Sequence, residues 1–400
     1  MTTTKGKIDC TPEEQGFDSG RIEALNTHFE RKIAEGKIAG ASYVITRNGK
    51  TIASAGVGNA TYIDGVGAMR TDTIHRIASE TKTFCAVAIF KLIEDGFFRL
   101  DTPVGEILPQ MNRDPYKKIT IAHLLTHTSG LVPDGGTFPD EYVKDAFDWI
   151  DMADKRFRAG EKNIDWLEES LHCGLYKPVG AEWMYCSYGF IILGEVISKV
   201  SGMNVHDFIV EKICRPLGMT STFFDMDDEY GKRFNFDGFG HHGTAPTLEE
   251  IRKEKEEDKN SLWSRIPKTG GGLYSCPEDL VKFGNMLLGK GSLGGTRILG
   301  RKTVEVMTSR VLYNVADNCW EAENPDRRYS YGFDMRVGPG TNQTFHYTPG
   351  TFMHEGAGAC SLVIDPVENM CASWFVPFAK EGWFSDCLWS VSNVIWSGLK

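Results

Sequence analysis

Residues 76–84 of this 400-residue chain read Arg-Ile-Ala-Ser-Glu-Thr-Lys-Thr-Phe, which places Ser79 and Lys82 three positions apart. Apolar residues recur from 85 to 93 and Asp95-Gly96 follows, a pattern that predicts a buried helix ending at the glycine. Positions i and i+3 share one helix face, so the Lys82 amine can lie beside the Ser79 hydroxyl. A neutral lysine held there can remove the serine proton, and the helix N-terminus favours the negative charge that develops. Ser-x-x-Lys alone is common by chance, so the rest of the chain has to decide.

The composition is that of a soluble globular protein and excludes several classes of function. Hydrophobic residues make up 41% of the chain and charged residues 24%. The formal charge of −10, with no basic run, argues against a nucleic-acid partner or an anionic membrane surface. The N-terminus lacks the apolar core of a signal peptide, and no apolar run is long enough to span a bilayer.

Ten cysteines are scattered singly, and no pair has metal-finger spacing. Most of them sit inside apolar runs, which favours reduced, mostly buried thiols. We therefore expect a cytoplasmic protein without a metal or organic cofactor.

Both ends of the chain show the patterns of helices and antiparallel strands. Asn48-Gly49 between two short apolar runs is a strong hairpin signal. The predicted elements, in chain order, are a helix over 19–35, strands over 41–46 and 51–56, a helix over 277–288, strands over 359–364 and 370–376, and a helix over 387–399. The two ends are therefore predicted to fold together as one unit.

The middle of the chain is predicted to be mostly helical. We expect an α/β sheet domain of residues 16–75 with 265–400, and a mostly helical domain of residues 76–264. Residues 133–170 are rich in charged and aromatic residues and are predicted to be an insertion over the surface, and a second polar insertion is predicted near 222–264. We expect specificity to lie in these two insertions.

A short helix within residues 119–130 carries His123 and His127, which are four positions apart. Thr120 is the predicted cap of this helix and Gly130 its predicted end. Two histidines at this spacing can bind a metal ion. No third ligand is near in the sequence, so we favour a structural role for both.

Tyr185 is the candidate for a further proton-transfer group. It lies in a loop of small residues immediately before a predicted helix, and such a loop can present a phenol to a cleft. The alternative is that Tyr185 is simply a packed aromatic, like Trp183 and Tyr188.

Ser79-Glu80-Thr81-Lys82, Tyr185-Cys186-Ser187 and the His-Thr-Ser-Gly-Leu of residues 127–131 together resemble the serine β-lactamase-like family. That family includes class C β-lactamases, family VIII carboxylesterases, D-aminopeptidases, DD-peptidases and related acyltransferases. The similarity runs from about residue 16 to the C-terminus and is weakest in the two polar insertions. It implies an α+β fold of the β-lactamase/transpeptidase type, an antiparallel sheet flanked by N- and C-terminal helices with a mostly helical lobe.

The third motif of this family is Lys-Thr-Gly or His-x-Gly on the edge strand beside the serine. A literal Lys268-Thr269-Gly270 runs into further glycines and a helix and opens no predicted strand. His354-Glu355-Gly356 leads directly into a predicted strand, so we prefer it and keep the literal triplet as the second choice. By resemblance, His354 takes the electrostatic role of the motif lysine. The backbone N–H groups of Ser79 and Ala357 would form the oxyanion hole, and Ser187, His354 and Gly356 would line the substrate site.

Two departures from the family pattern bear on the substrate. Ser187 stands where the family usually has asparagine, and His354 where β-lactamases have lysine. Both put β-lactam turnover in doubt. There is no Gly-x-Ser-x-Gly elbow, which argues against an α/β-hydrolase.

The resemblance implies a serine hydrolase in which Ser79 attacks a carbonyl, Lys82 accepts its proton and Tyr185 relays a proton to the leaving group. Small carboxylic esters are the first expectation, D-amino-acid amides or peptides the second, and β-lactams the third. Acyl transfer to an alcohol or amine and a non-catalytic receptor or scaffold role stay open.

Overall fold

A six-stranded antiparallel sheet lies at the centre of the computed structural model. In spatial order its strands are β1 (Thr3–Lys5), β3 (Lys50–Gly58), β2 (Gly40–Arg47), β10 (Met370–Phe375), β9 (Cys360–Asp365) and β8 (Phe352–Gly356). The structure describes residues 2–61, 67–138, 148–225, 259–335, 346–358, 360–377 and 383–400, and single residues 253, 256 and 379. Further strands are β4 (His75–Arg76), β5 (Tyr274–Ser275), β6 (Ser292–Leu293) and β7 (Thr296–Arg297).

The helices stand before, between and after these strands. They run over Ser19–Ala34, Thr81–Glu94, Ile121–Leu125, Asp148–Arg158, Trp166–Ser170, Ser187–Ser201, Val205–Ile209, Pro277–Leu288, Arg301–Met307 and Ser390–Trp396. A wider, π-type helix over Trp383–Trp389 leads into the last of them, so the predicted terminal helix begins before Cys387. No helix in the part of the chain that the structure describes is long and apolar enough to cross a membrane.

Local signals account for the sheet. Asn48 and Gly49 have φ values of 52° and 72°, the left-handed pair that a tight two-residue hairpin between β2 and β3 requires. The predicted strand pair near the C-terminus is β9 and β10, paired antiparallel from Met370 opposite Asp365. Because β10 also pairs with β2, the two ends of the chain form one sheet.

The sheet is covered on both faces. The Ser19–Ala34 helix and the C-terminal helices share one apolar cluster with residues such as Trp374 on one face. The indole N–H of Trp396 donates to Asp365 at 2.9 Å, which ties the last helix to β9. The Pro277–Leu288 helix packs on the other face and belongs to the larger cluster that includes the helical part of the chain. The predicted arrangement of a sheet between terminal helices and a helical lobe is therefore present.

The Thr81–Glu94 helix lies in the centre of the larger cluster. Every residue from Thr81 to Phe90 is buried. Phe84 stacks on Phe283 of the Pro277–Leu288 helix with ring centroids 4.0 Å apart. The helix that carries Lys82 is therefore fixed to the sheet through the core rather than lying on the surface.

The region near 133–170, expected to be an insertion over the surface, contributes to this core in the part that the structure describes. Trp149, Ile150 and Phe157 of the Asp148–Arg158 helix are buried, and so is Leu167 of the following helix. In these two helices apolar positions are interspersed with charged positions, and charged residues dominate the composition of the region. Of the insertion near 222–264, residues 226–250 lie outside the described residues. The division into two domains stays a prediction.

Packing of the Pro277–Leu288 helix on the sheet predicts that Gly284→Ala is destabilising. A Cβ at Gly284 would lie 2.3 Å from the sulfur of Cys371 on β10. The usual gain of about 1 kcal/mol for alanine over glycine in a helix should turn into a loss of about 1–3 kcal/mol. Gly189→Ala is the matched control, since a Cβ there meets nothing nearer than 3.5 Å. Urea unfolding of both variants tests this, and equal effects would contradict the packing described.

Candidate active site

Ser79 lies in a single turn of 3-10 helix, Ala78–Glu80, that leads into the Thr81–Glu94 helix. The preceding residue, Ala78, has a φ of 44°, a left-handed conformation that a residue with a Cβ rarely adopts. Two contacts hold the turn in place. The Thr81 hydroxyl donates to Ala78 O at 2.6 Å and accepts from Leu273 N–H at 3.1 Å. The half-buried Ser79 hydroxyl is thus presented at the end of a buried helix.

Lys82 is fully buried, and its Nζ contacts three oxygen atoms. These are Ser79 Oγ at 3.1 Å, Ser187 Oγ at 2.9 Å and the Gly270 carbonyl at 2.7 Å. Burial lowers the pKa of Lys82 to about 8, although the charge of Asp134 acts in the opposite direction. About a tenth of the molecules then carry a neutral amine at neutral pH, where an ordinary lysine has almost none. The i, i+3 contact predicted between Lys82 and Ser79 is present.

Tyr185 lies beside this pair, with its ring centroid 4.8 Å from Lys82 Nζ. Burial and the charge of Asp134 hold the pKa of Tyr185 well above its usual value, and a hydrogen bond with the Ser79 side chain opposes this rise. At neutral pH Tyr185 is therefore a phenol that can donate or relay a proton. It also packs against His127, with ring centroids 4.7 Å apart.

His123 and His127 both serve local structure. His123 completes a capping box with Thr120 at the start of the Ile121–Leu125 helix. That helix ends well before the predicted Gly130, because His127 adopts a left-handed φ of 56°. The Cys186 N–H donates to Nδ1 of His127 at 3.0 Å, so the proton of the neutral ring is on Nε2. Burial lowers the pKa of His127 well below its usual value, and the ring stays neutral among aromatic side chains.

The edge strand β8 passes the serine turn, as expected for the family's third motif. Phe352 packs on Phe333 in the larger cluster, whereas Met353 belongs to the opposite face, so His354 and Gly356 face the helical part. His354 is buried, and its Nδ1 lies 2.7 Å from the carbonyl of Glu355.

Gly356 lies where β8 passes close to the serine turn. A Cβ at Gly356 would lie 2.2 Å from the Ile77 carbonyl, so any side chain there would push the strand away from Ser79. Ala357 follows the end of β8 directly. Assignment of the Ser79 and Ala357 N–H groups to an oxyanion hole stays a prediction.

The literal Lys268-Thr269-Gly270 triplet lies in no strand, in agreement with the sequence argument. It is nevertheless close to the site, which the sequence argument missed. The Gly270 carbonyl accepts from Lys82 at 2.7 Å, and the Thr269 hydroxyl donates to the Phe190 carbonyl at 2.7 Å. The backbone of the triplet thus lies beside Lys82 and supplies one of its three hydrogen-bond acceptors.

Asp134 is a second residue that the sequence argument missed. Its carboxylate accepts from the Ser187 hydroxyl at 2.6 Å and from the Ser187 N–H at 2.5 Å. Its own N–H donates to the Tyr185 carbonyl at 2.9 Å. The only signal in the sequence is its place just after the His-Thr-Ser-Gly-Leu of residues 127–131.

Trp320 is a third. It is 57% exposed, its ring centroid lies 5.5 Å from that of Tyr185, and its φ is 52°. The backbone N–H of Trp320 donates to the Thr137 carbonyl at 2.9 Å, which holds this strained residue beside the site. Trp320 therefore offers an exposed apolar wall next to Tyr185.

Several known proteins are similar to this chain in sequence. A family model described as Beta-lactamase matches residues 25–381. Protein Rv1367c of Mycobacterium tuberculosis is 26% identical over 290 residues, which are 68% of this chain and 68% of that protein. Penicillin-binding protein 4* of Bacillus subtilis is 31% identical over 225 residues, which are 55% of this chain but only 46% of that protein.

Solved structures share the fold at low sequence identity. EstCE1, described as a hydrolase with promiscuous acyltransferase activity, superposes with a TM-score of 0.72 at 20% identity over 95% of this chain and 99% of that one. A penicillin-binding protein homologue from Caulobacter crescentus gives 0.69 at 20% identity, covering 98% and 99% of the two chains. A family VIII carboxylesterase gives 0.67 at 18% identity, covering 97% and 99%. The predicted α+β fold of the β-lactamase/transpeptidase type is confirmed.

The lowered pKa of Lys82 predicts how the reactivity of Ser79 depends on pH. Only the neutral amine can take the serine proton, so the rate should rise about tenfold per pH unit below about pH 8 and level off above it. Labelling of Ser79 by a fluorophosphonate, followed by mass spectrometry, measures this rate without knowledge of the substrate. Ser79→Ala is the blank. A rate that does not change with pH, or a midpoint at the ordinary lysine value of 10.5, would contradict the role of Lys82.

Proposed function

This chain belongs to the β-lactamase family, and we propose that it is a serine hydrolase that acts through an acyl-enzyme on small carboxylic esters. One observation carries the proposal. The Nζ of Lys82 lies 3.1 Å from Ser79 Oγ in a site where burial lowers the lysine pKa to about 8. A serine and a base in hydrogen-bond contact are what nucleophilic catalysis needs.

In the first step Ser79 Oγ attacks the ester carbonyl and its proton passes to neutral Lys82. The carbonyl π electrons move to the oxygen. The N–H groups of Ser79 and Ala357 are the proposed donors to that oxyanion, each contributing about 3 kcal/mol.

In the second step the tetrahedral intermediate collapses and the alcohol leaves. Tyr185 gives its phenolic proton to the departing oxygen and recovers a proton from the Lys82 ammonium, whose Nζ lies 4.8 Å from the ring centroid. Water then attacks the acyl group, its proton returns through Tyr185 and Lys82, and Ser79 is released with the carboxylic acid.

The surroundings of Ser187 favour an ester over a β-lactam. The Ser187 hydroxyl, at the position where the family has asparagine, is engaged by both Lys82 and Asp134. Its single proton is given to Asp134, so it has no donor left for the carbonyl of a substrate amide. The exposed ring of Trp320 suits an apolar acyl or leaving group instead.

Other activities of this fold are alternatives within the proposal. They are a D-amino-acid amidase or D-aminopeptidase, a DD-peptidase, a weak β-lactamase and an acyltransferase. A binding or scaffold protein is the non-enzymatic alternative. A fully buried lysine beside a serine is costly to the fold, and a scaffold has no use for it.

The proposal includes a small-molecule partner only, with no nucleic acid, membrane, metal or organic cofactor. A cytoplasmic location also belongs to it, supported by ten cysteines that form no disulfide bond.

Hydrolysis of p-nitrophenyl butyrate and nitrocefin by wild type and Ser79→Ala tests the proposed function. We expect turnover of the ester, little turnover of nitrocefin, and a loss of about 10³-fold or more in the variant. Ester hydrolysis that survives in Ser79→Ala would exclude Ser79 as the nucleophile. Faster turnover of nitrocefin than of the ester would overturn the substrate class.

A pair of variants tests the choice of third motif. His354 lies on the edge strand beside the serine turn, whereas Lys268 lies in a loop without strand structure. We expect His354→Ala to lower kcat/KM on the ester by about 10–100-fold and Lys268→Ala to change it by about twofold or less. Thermal unfolding of both variants controls for folding. The reverse order of effects would assign the role to the literal triplet.

A further inference from the structure

We propose that Asp134 is a positioning residue. It orients Ser187 so that, of the three groups hydrogen-bonded to Lys82 Nζ, Ser79 alone can donate a hydrogen bond to the amine. This inference rests on the proposed function and adds a residue to its machinery. Its basis is the direction of each hydrogen bond around the lysine nitrogen.

The three oxygen neighbours of Lys82 Nζ differ in what they can donate. The Gly270 carbonyl can only accept. The Ser187 hydroxyl has a single proton, and that proton is given to Asp134 Oδ2 at 2.6 Å, so towards Lys82 it also can only accept. Ser79 is therefore the one neighbour with a proton to offer.

This arrangement fixes the direction of the lysine lone pair. A neutral Lys82 has two N–H bonds, and the two pure acceptors, Ser187 Oγ and the Gly270 carbonyl, take both of them. The lone pair then points to the remaining neighbour, Ser79 Oγ at 3.1 Å, which donates its proton. When Lys82 is charged, all three N–H bonds are donated and Ser79 has to turn its proton elsewhere. Loss of one proton from Lys82 thus makes it a base aimed at Ser79.

Asp134 is itself held in the position that this task requires. Its second oxygen accepts from the Ser187 N–H at 2.5 Å, and its own N–H donates to the Tyr185 carbonyl at 2.9 Å. The carboxylate is therefore clamped to the segment that carries both Tyr185 and Ser187. Both side-chain oxygens of Asp134 accept a hydrogen bond, and a carboxylate has the two acceptor oxygens that this arrangement requires.

The negative charge of Asp134 opposes catalysis, whereas its hydrogen bonds favour it. The two effects therefore predict opposite results when the charge is removed. Burial lowers the pKa of Lys82, and the negative charge of Asp134 opposes this fall. It also raises the pKa of Tyr185. If charge were its whole effect, removal of Asp134 would leave more neutral lysine and a faster enzyme at neutral pH. The hydrogen-bond directions predict a slower one.

Asp134→Asn is the informative change because it keeps the shape and reverses one hydrogen bond. The amide oxygen still accepts from the Ser187 N–H, which turns the NH₂ group towards the Ser187 hydroxyl. Ser187 then accepts from residue 134 and gives its own proton to the Lys82 lone pair. Lys82 then cannot act as a base towards Ser79, because its lone pair already accepts a hydrogen bond from Ser187.

Four proteins test this: wild type, Asp134→Asn, Ser187→Ala and the double variant. The readouts are kcat/KM on p-nitrophenyl butyrate and the rate of fluorophosphonate labelling of Ser79, each across the pH range. We expect Asp134→Asn to lower the high-pH plateau by about 10–100-fold while its midpoint moves to lower pH. Ser187→Ala removes the competing donor, so it should cost less than Asp134→Asn. The double variant should then match Ser187→Ala.

Several results would overturn the inference. A plateau in Asp134→Asn equal to or above that of wild type would show that Asp134 acts by charge alone. Effects of the two changes that simply multiply would show that Asp134 does not act through Ser187. If Asp134→Asn does not fold, Asp134→Ala serves in its place, because it also leaves the Ser187 proton without its acceptor. A failure of the ester proposal is separate, since it would abolish ester turnover but leave the labelling rates to decide.

Discussion

The burial of the Lys82 amine among three oxygen atoms is the constraint on which the rest of the site depends. The three partners come from chain segments far apart in sequence, at Ser79, Ser187 and Gly270. Taking the amine out of water lowers its pKa from 10.5 to about 8, which corresponds to roughly 3 kcal/mol. That destabilisation of the fold is fully present below about pH 8, where both states are protonated. It fades as the pH rises from about 8 to 10.5, because only the unfolded chain keeps the proton there, and it is absent above 10.5. Packing in the surrounding core has to offset this cost. The buried Thr81–Glu94 helix, which carries Lys82, provides part of that packing.

The sheet contributes to the site through its edge rather than its face. Strand β8 is the last strand of the sheet, and Gly356 lets it approach the Ile77 carbonyl just before the serine turn. The paired strands β4 and β5 support the other side of that turn. The strained φ of Ala78 is thus held between two elements that belong to different sheets. A nucleophile fixed in this way needs little reorganisation when it reacts.

Local sequence signals correctly predicted the hairpin at Asn48-Gly49 and the contact between Ser79 and Lys82. Contacts made by backbone atoms or by single residues distant in sequence were missed. Asn48-Gly49 and the Ser79–Lys82 spacing each act within a few residues, so their geometry follows from the chain itself. The carbonyl of Gly270 carries no residue-type signal, and the hydrogen bonds between Asp134 and Ser187 join positions 53 residues apart. The region around Asp134 was expected to be a surface insertion because its charges dominate the composition. Its buried aromatic side chains show that apolar positions spaced along helices were the better guide.

The central claim is that Lys82 is a partly neutral base at physiological pH, and its titration is the most direct test. Lysine side chains labelled with ¹³C at Cε can be followed by NMR against pH, with Lys82→Met to assign the resonance. The account predicts that one signal, absent from the variant, titrates near pH 8, well below the ordinary lysine value of 10.5. A Lys82 signal that titrates at the ordinary value would contradict it, because the amine would then be an ammonium whenever the enzyme meets its substrate.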